Sequence, residues 1–450
     1  MRTGHVIMGG GIGAAGRRLR APSIRPTTRA VRCIVVGMSD EAEVPYGALG
    51  LKAGRLFIPT APINKQQLFA GRIDQLRSLL DMIYAEGQHA VVYGERGVGK
   101  TSLVSVAQSA MQATDIRSHR ENCLSSDTFA TLWRRAFEGI EYDIAQRGAG
   151  FGAQDSSRRS SLAQYLPEVP EPHHVVSVLR RLEETVVFMF DEFDQITNRE
   201  LSKAFADTIK ALSDHSSLGK VVLVGVGDNI DELVTSHASI ARAIIQIRMP
   251  RMQLHELAEI ISKGSSELGM KWDEAAVRRV VRLSQGLPTY VHRLALYATR
   301  EALDAKSLVV TTDNVKFGMR KSVESASQSL TEAYLKATSS QRDDALFGPV
   351  LLACALAKTD ELGYFRPRSL KRPLEIIGHK LDVPAFSSHL NKFATEDRGL
   401  ILQKTGSDRQ WRYRFRDPLI QPFVIMRGVT AGDVTMADVD RALAEPALLV

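Results

Sequence analysis

The sequence predicts an α/β fold: a parallel-sheet core, then a helical layer, then a small basic C-terminal domain. Three observations carry this expectation. A glycine-rich loop, Gly94-Glu95-Arg96-Gly97-Val98-Gly99-Lys100-Thr101, lies between a short apolar run and a helical pattern. A second apolar run, Thr185 to Phe190, ends in the acid pair Asp191-Glu192. The strand-like rhythm stops near Met249-Pro250, helical periodicity dominates to about residue 337, and the texture changes again from about 341.

The loop fits G-x-x-x-x-G-K-[ST], with Ala90-Val91-Val92-Tyr93 as a buried strand before it and Thr101-Ser102-Leu103-Val104 opening a helix behind it. A phosphate-binding loop needs that context. Glycines let the backbone wrap, so that successive N–H groups and a helix N-terminus face an anion. Gly94 through Ser102 are therefore the expected phosphate cradle of a P-loop NTPase core. Lys100 would supply a cation for the β- and γ-phosphates of ATP, and the Thr101 hydroxyl would ligate Mg²⁺. A glycine turn that fits by chance is the bland alternative; it explains neither the strand before the loop nor the helix after it.

A chain of 450 residues is long enough for several domains. Its 24% charged and 44% hydrophobic residues are ordinary globular values. No apolar run is long enough to span a bilayer, so no membrane partner is expected. Three scattered cysteines, Cys33, Cys123 and Cys354, suggest a reducing, cytoplasmic setting and neither a disulfide framework nor a zinc site. The formal charge of +7 is local: residues 1–37 carry seven arginines and no Lys, Asp or Glu. Removing them leaves 51 basic and 51 acidic residues, so the body from 38 onward is neutral.

Taken in order, residues 1–51 read as a basic leader without a fold. For residues 1–37 a transit peptide, a basic arm and an over-extended start before Met38-Ser39-Asp40-Glu41 all fit. The ATPase core is expected over 52–250. Within it, Leu76, Leu79, Leu80 and Ile83 share one helix face, 127–145 reads as an amphipathic helix, and the Gly/Ser/Arg-rich 147–162 as a surface insertion. Thr197-Asn198-Arg199-Glu200 has capping-box form and starts a helix to about Ser213, and Val221 to Gly225 is the next strand. A helical lid is expected over 251–337. Residues 338–430 give helix, helix and hairpin, the order of a winged helix. Residues 431–450 read as a C-terminal tail.

The acid pair supplies the second half of an ATPase site. Asp191 would hold Mg²⁺, and Glu192 would act as the base that polarises the attacking water. The strand at 221–225 runs on to Gly227-Asp228-Asn229, where Asn229, or Asp228 beside it, could orient that water; an ordinary strand-to-helix turn is the alternative. Arg242, read as lying on a following helix, would reach a neighbouring subunit's γ-phosphate, with a surface arginine as the alternative. Gly286-Leu287-Pro288 breaks the lid helices where a base could be covered, and Arg293 lies on the next helix.

These motifs, together with Leu68-Phe69-Ala70-Gly71-Arg72 and Asn122-Cys123, occur in the order seen in AAA+ ATPases. The match resembles the branch that spans origin-recognition-like initiators and STAND signalling ATPases, over roughly residues 66–300. The resemblance implies a five-stranded parallel core, a helical lid and a winged helix, with Gly71 and Arg72 near the adenine. Initiators usually carry an arginine three residues after the lid glycine; here Thr289 stands there, Arg293 one turn later is the candidate to substitute for it at the nucleotide, and the Gly-x-Pro form looks more like the STAND branch.

Residues 366–416 hold twelve Lys/Arg and five Asp/Glu. Trp411, Tyr413 and Phe415 alternate with Arg412, Arg414 and Arg416, which puts aromatics on one face and arginines on the other. That basic face would contact duplex DNA or a partner protein. The expected protein is thus a nucleotide-dependent switch that binds ATP and ADP, hydrolyses ATP, and assembles as a nucleotide-dependent homo-oligomer. A nucleotide-holding scaffold with slow or no turnover is the alternative.

Overall fold

The structure, a computed structural model, describes residues 44–59, 61–62, 69–146, 156–226, 240–340, 346–360, 362–407 and 410–443. Its centre is a five-stranded sheet of β1 (His89–Gly94), β2 (Arg117–Asn122), β5 (Val186–Asp191), β6 (Gly219–Gly225) and β7 (Ile244–Met249), in the order β2-β5-β6-β1-β7. Every neighbouring pair is parallel, which is the five-stranded parallel core that the resemblance implies. Parallel pairs need crossovers, and these place helices on both faces. Accordingly β5 and β6 are buried along their whole length.

Alternation along the strands splits the core in two. Val187 and Met189 of β5, with Val222 and Val224 of β6, face one apolar cluster. Val186, Phe188 and Phe190, with Val221 and Leu223, face the other. Trp133 anchors that second cluster, with Phe137, Phe188, Phe190 and Phe205 between 5.1 and 5.7 Å from its ring.

Helices α2 (Ile73–Tyr84), α3 (Lys100–Gln112), α4 (Phe129–Glu138), α5 (Pro172–Leu179) and α6 (Arg199–Asp214) cover the sheet. Asn198 caps α6, its side-chain oxygen accepting from the Glu200 and Leu201 amides. The amphipathic helix expected over 127–145 stops at Glu138; Gly139 follows, and Glu141–Gln146 becomes strand β3. It pairs antiparallel with β4 (Ser156–Ser161), so the far side of the expected surface insertion is a hairpin strand.

The leader boundary also moves. Residues 1–43 lie outside the described residues, but Tyr46–Leu56 forms α1, where a leader without a fold is expected to 51. Ala53, Leu56 and the following Phe57 bury against the lid, and that burial orders the segment. The lid comprises α7 (Leu254–Leu268), α8 (Glu274–Leu283), α9 (Pro288–Asp304), α10 (Thr312–Glu324) and α11 (Gln328–Thr338). A two-residue parallel pairing of β8 (Lys271–Trp272) with β9 (Val309–Val310) is inserted among them.

After the lid come α12 (Phe347–Leu356), α13 (Lys371–Ile376), α14 (Val383–Phe393) and the antiparallel hairpin of β10 (Leu402–Thr405) and β11 (Arg412–Phe415). Helix α15 (Ile420–Ala431) follows. The expected tail folds in part: Met436–Leu443 is helix α16, with Val439 and Ala442 buried and Asp440 paired to Arg282 of the lid at 2.7 Å. Residues 45–450 form one compact unit, and the first apolar cluster runs unbroken from β1 and α3 through the lid into α12 and α15. Among the described residues, no helix is long and apolar enough to cross a membrane.

Candidate functional site

Strand β1 ends at Gly94 and α3 starts at Lys100, so the loop between them spans the carboxyl edge of the sheet. Gly97 and Gly99 have φ of 84° and 98°. An L-residue in that left-handed region costs ~1 kcal/mol or more, which is why glycine stands there. Val98 between them is buried and pins the loop to the core. Gly99 brings no side chain to cap α3, so the first N–H groups of the helix remain for an anion.

The Lys100 ammonium donates to the carbonyls of Gly94 and Glu95, both at 3.0 Å. Burial lowers its pKa, while the nearby carboxylates of Asp194, Asp191 and Glu95 oppose that shift. The cation is therefore held by its own loop and surrounded by acids, ready to exchange carbonyls for phosphate oxygens.

Asp191 closes β5 and is 2% exposed. Its Oδ1 accepts from the Glu192 amide at 2.9 Å, while Oδ2 is buried with no hydrogen-bond partner among the described residues. A buried carboxylate oxygen left unpaired is costly. A Mg²⁺ ion or its water, shared with the Thr101 hydroxyl, would satisfy it, so the residues present fit the metal. Glu192 stands at φ 56°, a left-handed turn directly after the strand. Strand alternation alone would send Asp191 and Glu192 to opposite faces; with this turn both line one cavity, joined by Asp194. Asp194 also accepts from the Val226 amide at 3.0 Å. It thereby ties the acid segment to the end of β6.

A second junction joins the core to the lid. Gly71 has φ 60°, and a Cβ there would meet Glu256 Oε1 at 2.4 Å. Its amide donates to Glu259 at 3.1 Å, and the Arg72 amide to Glu256 at 3.2 Å. The Arg72 side chain is buried and donates to the Pro250 carbonyl. Burial lowers the Arg72 pKa, with Glu256 opposing. Arg72 thus lines the cavity, whereas Gly71, expected near the adenine, does not and packs instead against Glu256 and Glu259 of helix α7.

The C-terminal region reaches the same place. Arg251 pairs with Glu95 of the phosphate loop at 2.6 Å and donates to Gln421 Oε1, also at 2.6 Å. Gln421 in turn donates to the Ala355 carbonyl at 2.9 Å. Arg96 faces Asp417 at 3.6 Å, Thr289 donates to the Gly97 carbonyl at 3.4 Å, and Tyr290 to the Leu419 carbonyl at 2.6 Å. In the hairpin, Tyr413 and Phe415 are buried. Arg412, Arg414 and Arg416 line the cavity together with the loop, the acids and Pro288. That cavity holds about 1120 Å³.

A family model described as Novel STAND NTPase 1 matches residues 62–352, more than half of the chain. The chain belongs to this family. The match agrees with the Gly-x-Pro form of the lid. No curated protein matches the sequence. Among solved structures, the Aeropyrum pernix ORC1 protein in complex with DNA is 13% identical over 86% of this chain and 95% of its own, with a TM-score of 0.44. A Walker-type ATPase of Pyrococcus abyssi is 16% identical over 82% and 99%, with a TM-score of 0.46. The Thermotoga maritima RuvB Holliday junction branch migration motor is 14% identical over 84% and 99%, at 0.42.

Not every residue singled out in this STAND NTPase reaches the cavity. Gly94 to Ser102, Arg72, Asp191, Glu192 and Pro288 all line it. Arg293 does not: its guanidinium lies 5.4 Å from the Tyr290 ring, so it packs on the lid instead of substituting for the missing lid arginine. Asn229 lies outside the described residues. Arg242 ends the 3₁₀ turn Ile240–Arg242, and its carbonyl accepts from Gln88, just before β1. That is the amino edge of the sheet, opposite the phosphate loop, and the side chain is exposed. It cannot complete its own site. If it completes a neighbour's, hydrolysis per subunit rises with protein concentration, and mixing Arg242→Ala with Lys100→Ala chains restores activity that neither has alone. Full activity of Arg242→Ala by itself would reduce this residue to a surface arginine.

Sequence reading assigned no role to Asp194, Arg251, Thr289 and Gln421. Asp194 had a signal, three residues after Asp191 and aimed at the next strand. Arg251 and Thr289 meet the loop, and Gln421 meets Arg251, through long-range packing that carries no local pattern.

Proposed function

We propose that this STAND NTPase is a Mg²⁺-dependent ATPase working as a nucleotide-controlled switch, whose C-terminal region engages DNA or a partner protein in one nucleotide state. One observation supports this reading above the rest: the phosphate loop and the three hairpin arginines line a single cavity. Lys100 and the loop amides would hold the phosphates, and Thr101 with Asp191 would hold the metal. Mg²⁺, when bound, supplies charge neutralisation to the phosphates. Glu192 would take a proton from the attacking water.

The helix-helix-hairpin order of 338–430 supports the winged-helix reading. In this arrangement Arg412, Arg414 and Arg416 border the cavity that holds the phosphate loop, Arg412 facing Asp360 at 3.7 Å and Arg414 donating to Gln403 at 2.8 Å, so a bound nucleotide and a duplex would draw on the same guanidinium groups. Phosphates in the cavity and phosphates of DNA therefore compete for them, and nucleotide state sets which wins. Interactions of this kind are strong because planar, bidentate arginine matches phosphate geometry.

Duplex binding by the chain starting at Met38, measured at low salt with and without ATP, tests the reading. Residues 1–37 are omitted because their seven arginines would bind DNA unspecifically. Weak binding is expected, its affinity differing between the two conditions. Each phosphate contact contributes about −0.9 to the log–log salt slope, so replacing the three arginines by alanine should flatten it by about 2 to 3. The same DNA affinity with and without ATP would remove the switch. No binding in either condition would make the C-terminal region a protein-contact module.

A further inference from the structure

The lining of the cavity includes a set of apolar side chains, Ile58, Pro59, Ala70, Met252 and Ile260. Besides Arg72, which donates to Pro250 and keeps its Nε buried with no partner among the described residues, the lining carries an imidazole, His292. His292 lies one turn after Pro288 on α9, is 5% exposed, and packs 6.4 Å from the Phe57 ring. Its Nδ1 is buried with no hydrogen-bond partner among the described residues. Burial pushes its pKa down to about 4, so the ring is neutral at physiological pH. A neutral imidazole carries one donor and one acceptor, and a buried polar nitrogen left unpaired costs stability. A phenyl ring would fill this space without that cost. Apolar side chains with a neutral polar ring among them suit a planar heteroaromatic group, and the phosphate loop shares the cavity.

We propose that His292 hydrogen-bonds the adenine ring of bound ATP and sets affinity for the base, an inference that rests on the nucleotide-binding reading above. The phosphates are held by the loop whatever base is attached. The imidazole would add the contact that tells a nucleotide from a bare polyphosphate.

Binding of Mg·ATP and of Mg·tripolyphosphate, measured by calorimetry on the same protein, separates the two readings. His292→Phe keeps the ring packing and removes both nitrogens. It should weaken ATP about five- to tenfold, the range for one buried neutral hydrogen bond, and leave tripolyphosphate unchanged. His292→Asn returns an amide near the Nδ1 position and should recover most of the loss. A ligand-side measurement needs no variant. Of 1-, 3- and 7-deaza-ATP and purine riboside triphosphate, at least one should bind the parent protein more weakly by the same factor. Parental ATP affinity in His292→Phe, a parallel loss of tripolyphosphate affinity, or equal binding of all four analogues would each overturn the role of His292. A parent that binds neither ATP nor tripolyphosphate would instead overturn the nucleotide-binding reading itself.

Discussion

Titrating the Lys100→Ala protein with Mg·ATP should show no saturable binding at concentrations that saturate the parent. Lys100 is the cation that the loop holds over its own carbonyls, 3.0 Å from Gly94 O and Glu95 O. Charge-assisted bonds contribute roughly 1.5–3 kcal/mol each, so losing contacts to two phosphates costs about 10²- to 10⁴-fold in affinity. The fold should survive, because alanine removes a partly buried charge along with the two bonds that compensated it. Thermal melting separates the two effects. At 100 times its Kd, ATP stabilises a binding protein by about 2.7 kcal/mol, and this upward shift should vanish in the variant while the ligand-free melting point barely moves. Unchanged ATP affinity in Lys100→Ala would remove the phosphate loop from the site.

The phosphate loop is legible in sequence because its function depends on residues a few positions apart. Spacing, flanking strand and helix start are all local, and the backbone follows from glycine's access to positive φ at Gly97 and Gly99. The buried strands are legible for a similar reason: an unbroken apolar run such as Val186 to Phe190 can be covered only from both faces. Helix α1 is not, since Tyr46–Leu56 contains three glycines and gains its order from burying Ala53, Leu56 and Phe57 on a lid two hundred residues later in the chain.

The hairpin shows where periodicity stops informing. Alternation of Arg412, Tyr413, Arg414 and Phe415 tells which side chains share a face, and the structure buries the aromatics accordingly. It cannot tell what the other face meets. That depends on the docking of α15 against the lid and on the Glu95–Arg251–Gln421 chain of contacts, whose members lie on three separate segments. The basic face that sequence offers to DNA or a partner also borders the cavity that holds the phosphate loop.

The effect of Glu192→Gln should fall on turnover and spare binding. Asparagine and glutamine variants of acids often disturb structure, but here the position limits the damage. Glu192 is exposed to the cavity and makes its backbone turn at φ 56°, a strain that glutamine shares. Its amide still donates to Asp191 Oδ1, so the buried carboxylate at the end of β5 keeps its orientation. What changes is proton affinity. An amide cannot accept the proton of the attacking water, and a general base is worth about 10²- to 10⁴-fold in rate. Steady-state phosphate release should drop by that factor at saturating Mg·ATP, with the Kd for ATP within about twofold of the parent. If release continues at the parental rate, Asp194, which lines the same cavity and lies close to Lys100, becomes the next acid to test. If the parent itself releases no phosphate under any condition while still binding ATP, the protein holds its nucleotide as a static ligand, and exchange, not hydrolysis, would have to reset the hairpin.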